Sequence, residues 1–427
     1  MKDIHMPSLT SYSSSLQEII LSDQHYLSKA RDFVNFLRFL DEEPRQFSPN
    51  FSLIIRPHGF GMSLALESME AMLMRDELIS EGFSAKHSDE LDMPKAPALR
   101  LSLKHLKATN PQELTEALID IMQVQMWRHH IKRNITNYSN PKACFAKLLE
   151  DLEQKYQDSI VVLIDNYELP LYLASLMPKN QQETAISIYF DMLNAIKQAG
   201  PAVKWCLLSG HSKFALANNI SEGIPLINDL SFSERCDTLF GFTLDEISEY
   251  FDQDLKILAP RQGLTVSELK YALNKCYGGF VFSKRQIPVL CSASVNRALY
   301  NEGALYPYTY HSEFTFIRDT LKKEDPDLSW FFNRDGQDAV FENTISLEPT
   351  RKDLGALLLQ YGFAAIDKIT TDEGPLSLIT RYRYNCPNVE MRRILKILQG
   401  KASPKLAEQR INPQVFEDGE NDFDIEE

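Results

Sequence analysis

Two glycines lie in a short turn near the start of the chain, and a serine follows two residues after the turn. The turn, Arg56–Gly61, follows a short apolar segment, and a stretch with the apolar spacing of a helix begins at Met62. A phosphate-binding loop needs glycines that bring backbone N–H groups close, a lysine for the β- and γ-phosphates and a Ser or Thr for Mg²⁺. Gly59, Gly61 and Ser63 suit the glycine and magnesium roles, whereas the lysine position holds that methionine. On its own, the pattern fits an ordinary strand–turn–helix junction equally well.

A second candidate is the carboxylate that ends the apolar run at residues 160–164. An aspartate in this place, Asp165, is typical of a carboxylate that binds Mg²⁺ through water, and the residue after it is often a glutamate that polarises the attacking water. Here that residue is Asn166, which can orient a water but cannot accept its proton, so the general-base contribution is lost. Because apolar runs that end in Asp are common in α/β folds, Asp165 alone does not distinguish a site from a plain strand end.

The elements that would position these residues are strands that alternate with long helices. The run at 160–164 has no polar interruption, as expected for a strand buried on both faces. The alternation predicts a three-layer α/β fold, a parallel sheet with helices on both faces. The predicted strands are 52–55, 99–103, 160–164 and 203–208, and the predicted helices between them are 62–78, 111–133 and 181–199.

Composition and periodicity divide the chain into five segments. We predict an N-terminal helical segment (1–45), the α/β domain (46–235), a helical lid-like region (236–310), a small C-terminal α+β unit that is mainly helical (311–400) and an acidic tail that is disordered from Lys401 onward (401–427). The C-terminal unit is expected to end in a strand pair near Phe363 and Arg381 and a helix from Pro387. Within the tail, residues 417–427 carry seven acids and no base, and this composition predicts disorder.

The overall composition is that of a folded, acidic protein. Lys and Arg number 45 against 59 Asp and Glu, so the net charge is −14, which gives no long-range attraction for nucleic acid or anionic membrane. The six cysteines are scattered without a metal-binding spacing and predict free thiols in a reducing compartment. Neither a membrane span nor a signal peptide is recognisable, so we expect a cytoplasmic protein with no nucleic-acid or membrane partner.

Three further groups are weaker candidates. His129 and His130 are adjacent in a predicted helix and therefore point to different faces, so shared metal binding is not expected. Lys213 follows a predicted strand and could reach a phosphate, although a surface salt bridge is the commoner role of such a lysine. The alternation of Tyr382 and Tyr384 with arginines is more typical of an exposed strand face than of a stacking platform for bases.

Several short segments, in the same order and at similar spacing, give a family resemblance from Tyr26 to about Gly400. Residues 56–64 match a loop RPRRFGKSL, 163–171 a segment LIDEYDxPL, 209–215 a sensor-like TGVSKFS, 26–30 a YVDKT, 239–246 an LFGFTxxE and 276–282 a WYDGYxF. The chain thereby resembles the bacterial AAA-ATPase-like family, P-loop proteins that usually carry a C-terminal nuclease-type domain. The resemblance implies a P-loop NTPase-like fold, nucleotide-binding roles for Arg56, Gly59, Gly61, the Met62 position, Ser63 and Lys213, and Mg²⁺-binding roles for Ser63 and Asp165.

The departures from the family pattern fall on polar residues with a chemical task. The replacements are Lys by Met62, the catalytic Glu by Asn166, two loop arginines by His58 and Gly59, and two aspartates by Ser28 and Gly278. Apolar and glycine positions are kept. Since kept apolar residues preserve a core and lost polar residues remove function, we predict an intact fold with a degenerate nucleotide site.

These observations predict a pseudo-ATPase that works as a binding or regulatory module, with another protein as its partner. ATP or ADP with Mg²⁺ is expected to bind weakly or not at all. One alternative is an active ATPase in which Lys213 or Lys29 supplies the missing charge, and another keeps nucleotide as a structural ligand without turnover. Since the acidic tail begins where the family's nuclease-type domain would start, we expect no nuclease activity. Short acidic C-termini also resemble type IV secretion signals, which makes export into a host cell an alternative to the cytoplasm.

Overall fold

The chain forms two compact units, which are described separately. The N-terminal unit contains residues 1–55 and 62–231, and the C-terminal unit contains the turn Arg56–Gly61 together with residues 232–427. The computed structural model describes residues 27, 29–42, 49–75, 95–132, 134, 140–215, 227–309, 315–328, 337–340, 344–373 and 378–413.

A parallel five-stranded sheet is the centre of the N-terminal unit. Its strands are β1 (Asn50–Ile55), β2 (Ala98–Ser102), β3 (Ile160–Asp165), β4 (Val203–Gly210) and β6 (Ile227–Asp229), and a two-residue strand β5 (Phe214–Ala215) follows β4. They lie in the order β2, β3, β4, β1, β6, and every neighbouring pair is parallel. All six residues of β3 are buried although their side chains alternate between the two faces, so both faces of the sheet are covered.

Helices pack against this sheet. Those in the described part of the unit are α1 (Ala30–Glu42), α2 (Met62–Met74), α3 (Pro111–Arg128), α4 (Pro141–Tyr156), α5 (Leu169–Leu176) and α6 (Lys179–Gln198). α2 packs against β2 and β3, α4 against β3, and α6 against β4. Asp41 of α1 accepts from Lys204 Nζ at 2.6 Å and from Trp205 Nε1 at 2.7 Å, which fastens α1 to β4. The predicted α/β class with a parallel sheet is confirmed.

Local sequence explains where α3 and α4 begin. Asn110 and Asn140 occupy the N-cap positions, and their side-chain oxygens accept from the backbone N–H groups of Glu113 and Lys142. A proline follows each asparagine at the first helical position, where its missing N–H has no intrahelical partner to lose. The predicted start at Pro111 is therefore confirmed.

Two predicted helices end earlier than the apolar spacing indicated. α3 ends at Arg128 rather than near residue 133, because His130 adopts the left-handed region with a φ of 52°. α2 ends at Met74 because Arg75 also has a φ of 52°, and the predicted continuation to residue 78 lies outside the described residues. A left-handed residue other than glycine leaves no clear mark in a sequence, so periodicity could not locate these ends.

The described part of the C-terminal unit is mainly helical and contains short antiparallel strands. Its helices are α7 (Leu244–Tyr250), α8 (Asp252–Arg261), α9 (Val266–Tyr277), α10 (Ser292–Tyr300), α11 (Thr315–Glu324), α12 (Leu354–Gln360) and α13 (Val389–Leu398). Its strands are β7 (Phe280–Val281), β8 (Pro288–Val289), β9 (Gln337–Val340), β10 (Ile345–Ser346), β11 (Ala365–Glu373) and β12 (Leu378–Asn385). β7 pairs with β8, and β12 lies between β11 and β9, so the predicted strand pair and the predicted final helix are found as β11, β12 and α13.

The starts of α7 and α9 follow from two capping boxes, Thr243 with Glu246 and Thr265 with Glu268. In each, the threonine hydroxyl accepts from the glutamate N–H and the carboxylate accepts from the threonine N–H. The apolar spacing did not predict α8, which follows α7 with only Phe251 between them.

Part of the predicted tail packs on the C-terminal unit. The N–H of Ile411 donates to the carbonyl of Leu305 at 2.8 Å, and the Ile411 side chain is 2% exposed. The Arg393 guanidinium donates to the carbonyl of Gln409 at 3.0 Å. The expectation of disorder from Lys401 onward therefore does not hold for residues 401–413, because Ile411 buries an apolar side chain. The acidic residues 417–427 lie outside the described residues.

Among the described helices, none combines the length and the apolar composition that crossing a membrane requires.

Candidate functional site

The carboxyl ends of three strands meet at one edge of the N-terminal sheet. Ile55 of β1 lies opposite Gly210 of β4, and Asp165 of β3 lies opposite Ser209 of β4. The end of β1 and Asp165 are therefore at the same edge, on either side of β4. Ligands of open parallel sheets bind outside the carboxyl ends of the strands, so this edge is the candidate site of the unit.

Asp165 is buried at this edge and has one oxygen available as an acceptor. The residue is 2% exposed, and its Oδ1 accepts from Ser209 Oγ at 3.2 Å. Its Oδ2 is buried without a hydrogen-bond partner in the described part of the chain. A buried carboxylate oxygen without a donor is costly, so this atom suits a hydrated cation such as the Mg²⁺ predicted for it.

Asn166 follows in a left-handed conformation, with a φ of 56°, which asparagine tolerates better than most residues. Its Oδ1 is buried and, within the residues described, has no hydrogen-bond partner. The next residue is fastened to β4, since the Tyr167 N–H donates to the Ser209 carbonyl at 3.0 Å and its hydroxyl donates to the Ser212 carbonyl at 2.9 Å. An amide can orient a water but has no basic group, so the role of Asn166 stays a prediction.

Glu168 is a buried carboxyl to which the sequence analysis gave no role. Its Oε1 accepts from the His211 N–H at 2.9 Å, and burial raises its pKa to about 8, with a further contribution from the charge of Asp165. A side chain at Gly210 would overlap Glu168 Oε2, so only glycine fits there. The sequence did carry a signal, because Glu168 stands where the resembled segment LIDEYDxPL has its second aspartate.

Lys213, predicted to bind nucleotide or to form a surface salt bridge, forms an ion pair with Asp229. Lys213 is 5% exposed, whereas Asp229 is exposed, and the Lys213 Nζ bonds the Asp229 Oδ2. Burial alone would raise the pKa of Asp229, but the charge and hydrogen bond of Lys213 hold that pKa below its ordinary value. A phosphate that approached this lysine would compete with Asp229 for its charge.

Arg56, predicted to bind nucleotide, belongs to the C-terminal unit and is 1% exposed. Its Nη2 donates to the Cys236 carbonyl at 2.8 Å, and its guanidinium carbon lies 4.1 Å from the centroid of the Phe282 ring. A buried guanidinium needs such partners, because an unpaired buried charge is strongly unfavourable. The described contacts of Arg56 are those of a residue that holds its own turn in place.

The two glycines of the turn keep backbone conformations that favour glycine. Gly59 has a φ of 88° and Gly61 a φ of 78°. The Gly59 carbonyl accepts from the Ala293 N–H at 2.9 Å and from Ser292 Oγ at 3.0 Å. Phe60 packs edge-on against Phe280, with ring centroids 4.9 Å apart. The turn therefore has two left-handed glycines, and its Gly59 carbonyl and Phe60 ring are held by contacts within the C-terminal unit.

Met62 and Ser63 begin α2 in the N-terminal unit. Met62 is 4% exposed, and Ser63 is half-buried. No lysine or arginine stands between Pro57 and Leu64, so the sequence offers no cation at the place where a phosphate loop carries one. The first residue of α2 therefore presents a buried apolar side chain where a phosphate loop has its lysine.

Another cation of this unit, Arg100, is also already paired. In β2, its Nε bonds Glu70 Oε2 at 2.8 Å, and Arg128 bonds the same oxygen at 3.2 Å. Glu70 lies in α2, so this ion-pair network ties the helix to β2 and α3. This ion-pair network could not be predicted from the sequence, because the fold decides which charged residues of distant elements meet.

The two adjacent histidines do not share a ligand. His129 is buried, its Nδ1 lies 2.9 Å from the Tyr156 hydroxyl, and burial lowers its pKa to about 4, whereas His130 is exposed. Within the described ranges, no group of three or more His, Cys, Asp or Glu side chains is arranged to hold a metal ion.

Comparison with known proteins gives one family. Residues 14–220 match the family model described as Predicted AAA-ATPase. The matched span includes the turn, Met62, Asp165 and Lys213, and it ends before β6. No curated protein matches the chain. The match supports a general AAA-ATPase-like domain in the N-terminal half.

Proposed function

We propose that this protein is a binding or regulatory module, built on an AAA-ATPase-like α/β domain that no longer hydrolyses ATP. The family match over residues 14–220 and the five-stranded parallel sheet support the general domain. The loss of hydrolysis is proposed from the chemistry of the individual residues at the sheet edge and in the turn.

The observation that carries the proposal is the buried apolar side chain of Met62. A lysine in its place would make charge-assisted hydrogen bonds to phosphate, each worth roughly 1.5–3 kcal/mol. Methionine makes none, and two cations to which the family resemblance gives nucleotide-binding roles already have partners, Lys213 in Asp229 and Arg56 in the Cys236 carbonyl. Phosphate binding would therefore be weakened at its strongest contact.

A second loss affects the chemical step. With Asn166 in place of a glutamate, no residue at this position can accept the proton of an attacking water, and general-base catalysis typically contributes about 10²–10⁴ in rate. The two losses act on different steps, so weak binding and slow chemistry would multiply. A protein with both losses would still have a folded surface that can bind a partner. We propose that this partner is another protein.

An active ATPase is the second candidate, and two observations favour it. Asp165 still has a buried acceptor oxygen suited to a cation, and Glu168 adds a buried carboxyl three residues later. Lys29, 6% exposed in the same unit, and Lys213 would be the sources of the missing charge. In this case the nucleotide would bind and be turned over in spite of Met62.

Thermal unfolding with Mg-ATP and Mg-ADP tests the proposal. A ligand at 100 times its Kd stabilises the folded protein by about 2.7 kcal/mol, which is several degrees in melting temperature. We expect no shift at millimolar nucleotide. A saturable shift with both nucleotides would contradict weak binding, and phosphate release would then separate a structural ligand from a substrate.

The proposal includes a second location, in which the module is exported and acts inside a host cell instead of in the cytoplasm. It rests on the acidic composition of residues 417–427, which lie outside the described residues.

A further inference from the structure

A buried carboxyl is connected to the turn Arg56–Gly61 through two side chains of the C-terminal unit. Glu390, in α13, is fully buried, and its carboxyl oxygens lie 3.0 and 3.1 Å from Ser294 Oγ of α10. Cys291 Sγ lies 3.5 Å from Ser294 Oγ on one side and 3.5 Å from the Gly59 carbonyl oxygen on the other. A chain of polar groups therefore runs from Glu390 through Ser294 and Cys291 to the turn.

Gly59 is packed tightly against the end of this chain. A Cβ at Gly59 would lie 2.7 Å from Cys291 Sγ and 3.3 Å from Thr309 Cγ2. The Thr309 N–H in turn donates to Glu390 at 3.0 Å. Cys291 and Thr309, two of the three residues that a Cβ at Gly59 would contact, are connected to Glu390, Thr309 directly and Cys291 through Ser294. A change at this carboxyl therefore reaches the turn through close contacts.

The hydroxyl of Ser294 has one proton and two acceptors within reach. If Glu390 is protonated, its O–H donates to Ser294 Oγ, the Ser294 hydroxyl donates to Cys291 Sγ, and the thiol donates to the Gly59 carbonyl. If Glu390 is ionised, the Ser294 hydroxyl turns to the carboxylate, since hydrogen bonds to a charged acceptor are stronger. The hydrogen bond from Ser294 to Cys291 is then lost, so the Cys291 thiol bonds the Gly59 carbonyl without the cooperative strengthening that an unbroken series of hydrogen bonds provides.

We propose that the protonation state of Glu390 sets how firmly the turn Arg56–Gly61 is held in the C-terminal unit, with the Ser294 hydroxyl as the switch. The protonated carboxyl directs the chain of hydrogen bonds toward Gly59 and tightens the turn, and ionisation loosens it. The turn that would hold phosphate in an active relative is thus under the control of a proton in this chain.

The surroundings of Glu390 place this switch near neutral pH. Burial raises the pKa of Glu390 to about 7, against hydrogen bonds from Thr309 and Ser294 that lower it. The titratable groups that face it are Cys291, Tyr277 of α9 and Tyr308, and burial raises the pKa of each, so all three are neutral over this range. A charged side chain of α10, Arg297, donates to the Tyr308 carbonyl.

Residue-resolved hydrogen exchange at pH 6 and pH 8, corrected for intrinsic rates, tests the proposal on the full chain. The reporters are the Ala293 N–H, which bonds the Gly59 carbonyl, and the Gly241 N–H, which bonds the Phe60 carbonyl. The internal control is the reciprocal pair Phe242 and Leu290, which does not involve the turn. We expect both reporters to be about fivefold better protected at pH 6, the factor that one ordinary hydrogen bond provides, and the control pair to change less.

Three variants test whether the effect of pH passes from Glu390 through Ser294 to the turn. Glu390→Gln cannot ionise and its NH₂ group can still donate to Ser294, so we expect the protection seen at pH 6 at both pH values. Ser294→Ala removes the switch while Glu390 still titrates, so the pH difference at the reporters should disappear. Glu168→Gln, at another buried carboxyl of raised pKa in the N-terminal unit, should leave the difference unchanged.

Equal protection of the wild-type reporters at pH 6 and pH 8 would overturn the proposal. So would a pH difference that persists in Glu390→Gln, or one that persists in Ser294→Ala, because a merely structural role for Ser294 does not couple Glu390 to the turn.

Discussion

At the scale of single residues, Met62 and Asp165 both stand at positions where the family resemblance implies a polar side chain, and only Asp165 is polar. Met62 is the first residue of α2 and Asp165 the last of β3, and both are buried in the N-terminal unit. The aspartate accepts from Ser209 and keeps one acceptor oxygen for a cation. The methionine offers nothing to an anion. Of the two positions, therefore, only Asp165 carries a polar group, which is the basis of the proposed loss of phosphate binding.

Restoring the charge at position 62 should have opposite effects on stability and on binding. In Met62→Lys a buried ammonium lacks a balancing anion, so we expect a lower melting temperature than wild type in the absence of nucleotide. Mg-ADP supplies the anion, and its affinity should rise by about 10- to 150-fold, from a contact worth roughly 1.5–3 kcal/mol. Titration with a fluorescent ADP analogue measures this, with Met62→Leu as the control that keeps size and apolar character. Equal affinities of the two variants would show that position 62 does not face the phosphates.

Glu168 should make stability fall as pH rises. Its pKa is about 8 in the folded protein against an ordinary value of 4.5, so between these values the folded state binds more protons than the unfolded state. The stabilisation is complete below pH 4.5 and is lost as pH rises through 8. In Glu168→Gln we expect a weaker decrease of the unfolding free energy between pH 5 and pH 8.5, by an amount on the order of 4 kcal/mol. Urea unfolding at both pH values measures it, and an unchanged decrease would mean that Glu168 is ionised when buried.

At the scale of elements, the sheet could be predicted because each of its first four strands is a distinct apolar run. β1, β2, β3 and β4 were found within two residues of the predicted bounds, and the helices between them followed from 3.6-residue spacing. The short strands β7 and β8 could not be predicted, since two residues carry no periodicity. The membership of the turn in the C-terminal unit depends on contacts with Cys236, Phe282 and Ala293, which are far from it in sequence.

The packing of the turn predicts a large cost for a methyl group at Gly59. In Gly59→Ala the residue must keep a φ of 88° and place Cβ 2.7 Å from Cys291 Sγ, so strain and overpacking add to about 2–4 kcal/mol. Gly263→Ala is the matched control, because it has a φ of 70° in the same unit with no atom within 4 Å of the new Cβ. Chemical denaturation of both variants should show the larger loss for Gly59→Ala. Equal losses would mean that the contact with Cys291 relaxes freely.

At the scale of the whole molecule, charge and composition correctly predicted a folded protein. They did not predict that residues just after Lys401 belong to the fold. The net charge of −14 and the apolar content fit two folded units. The acidic composition near the C-terminus led to a predicted tail from Lys401, yet Ile411 is buried in the C-terminal unit. A single apolar residue does not show in the sequence that the segment around it packs on the rest of the fold. The position of Glu168 in the site illustrates the same limit, since its burial depends on β4.

The end of the chain should separate into a part that stabilises the fold and a part that does not. Deleting residues 417–427 removes seven acids, and we expect no change in melting temperature. Ile411→Ala removes a buried side chain and should lower the unfolding free energy by about 2–5 kcal/mol. Differential scanning calorimetry compares the two with wild type. A loss of several degrees on deletion would mean that the acidic segment packs on the folded units.

Phosphate release from ATP by the wild-type protein is the most direct test of the central claim, that this AAA-ATPase-like domain has lost hydrolysis. The assay compares wild type with Asp165→Ala in the presence of Mg²⁺, so that a contaminating ATPase appears equally in both. We expect both to release phosphate at the background rate, because Met62 and Asn166 stand where the phosphate-binding lysine and the catalytic base would be. Hydrolysis by the wild type at about one per second, the lower end of ordinary enzyme turnover, together with its loss in Asp165→Ala, would contradict the account and establish a working ATPase.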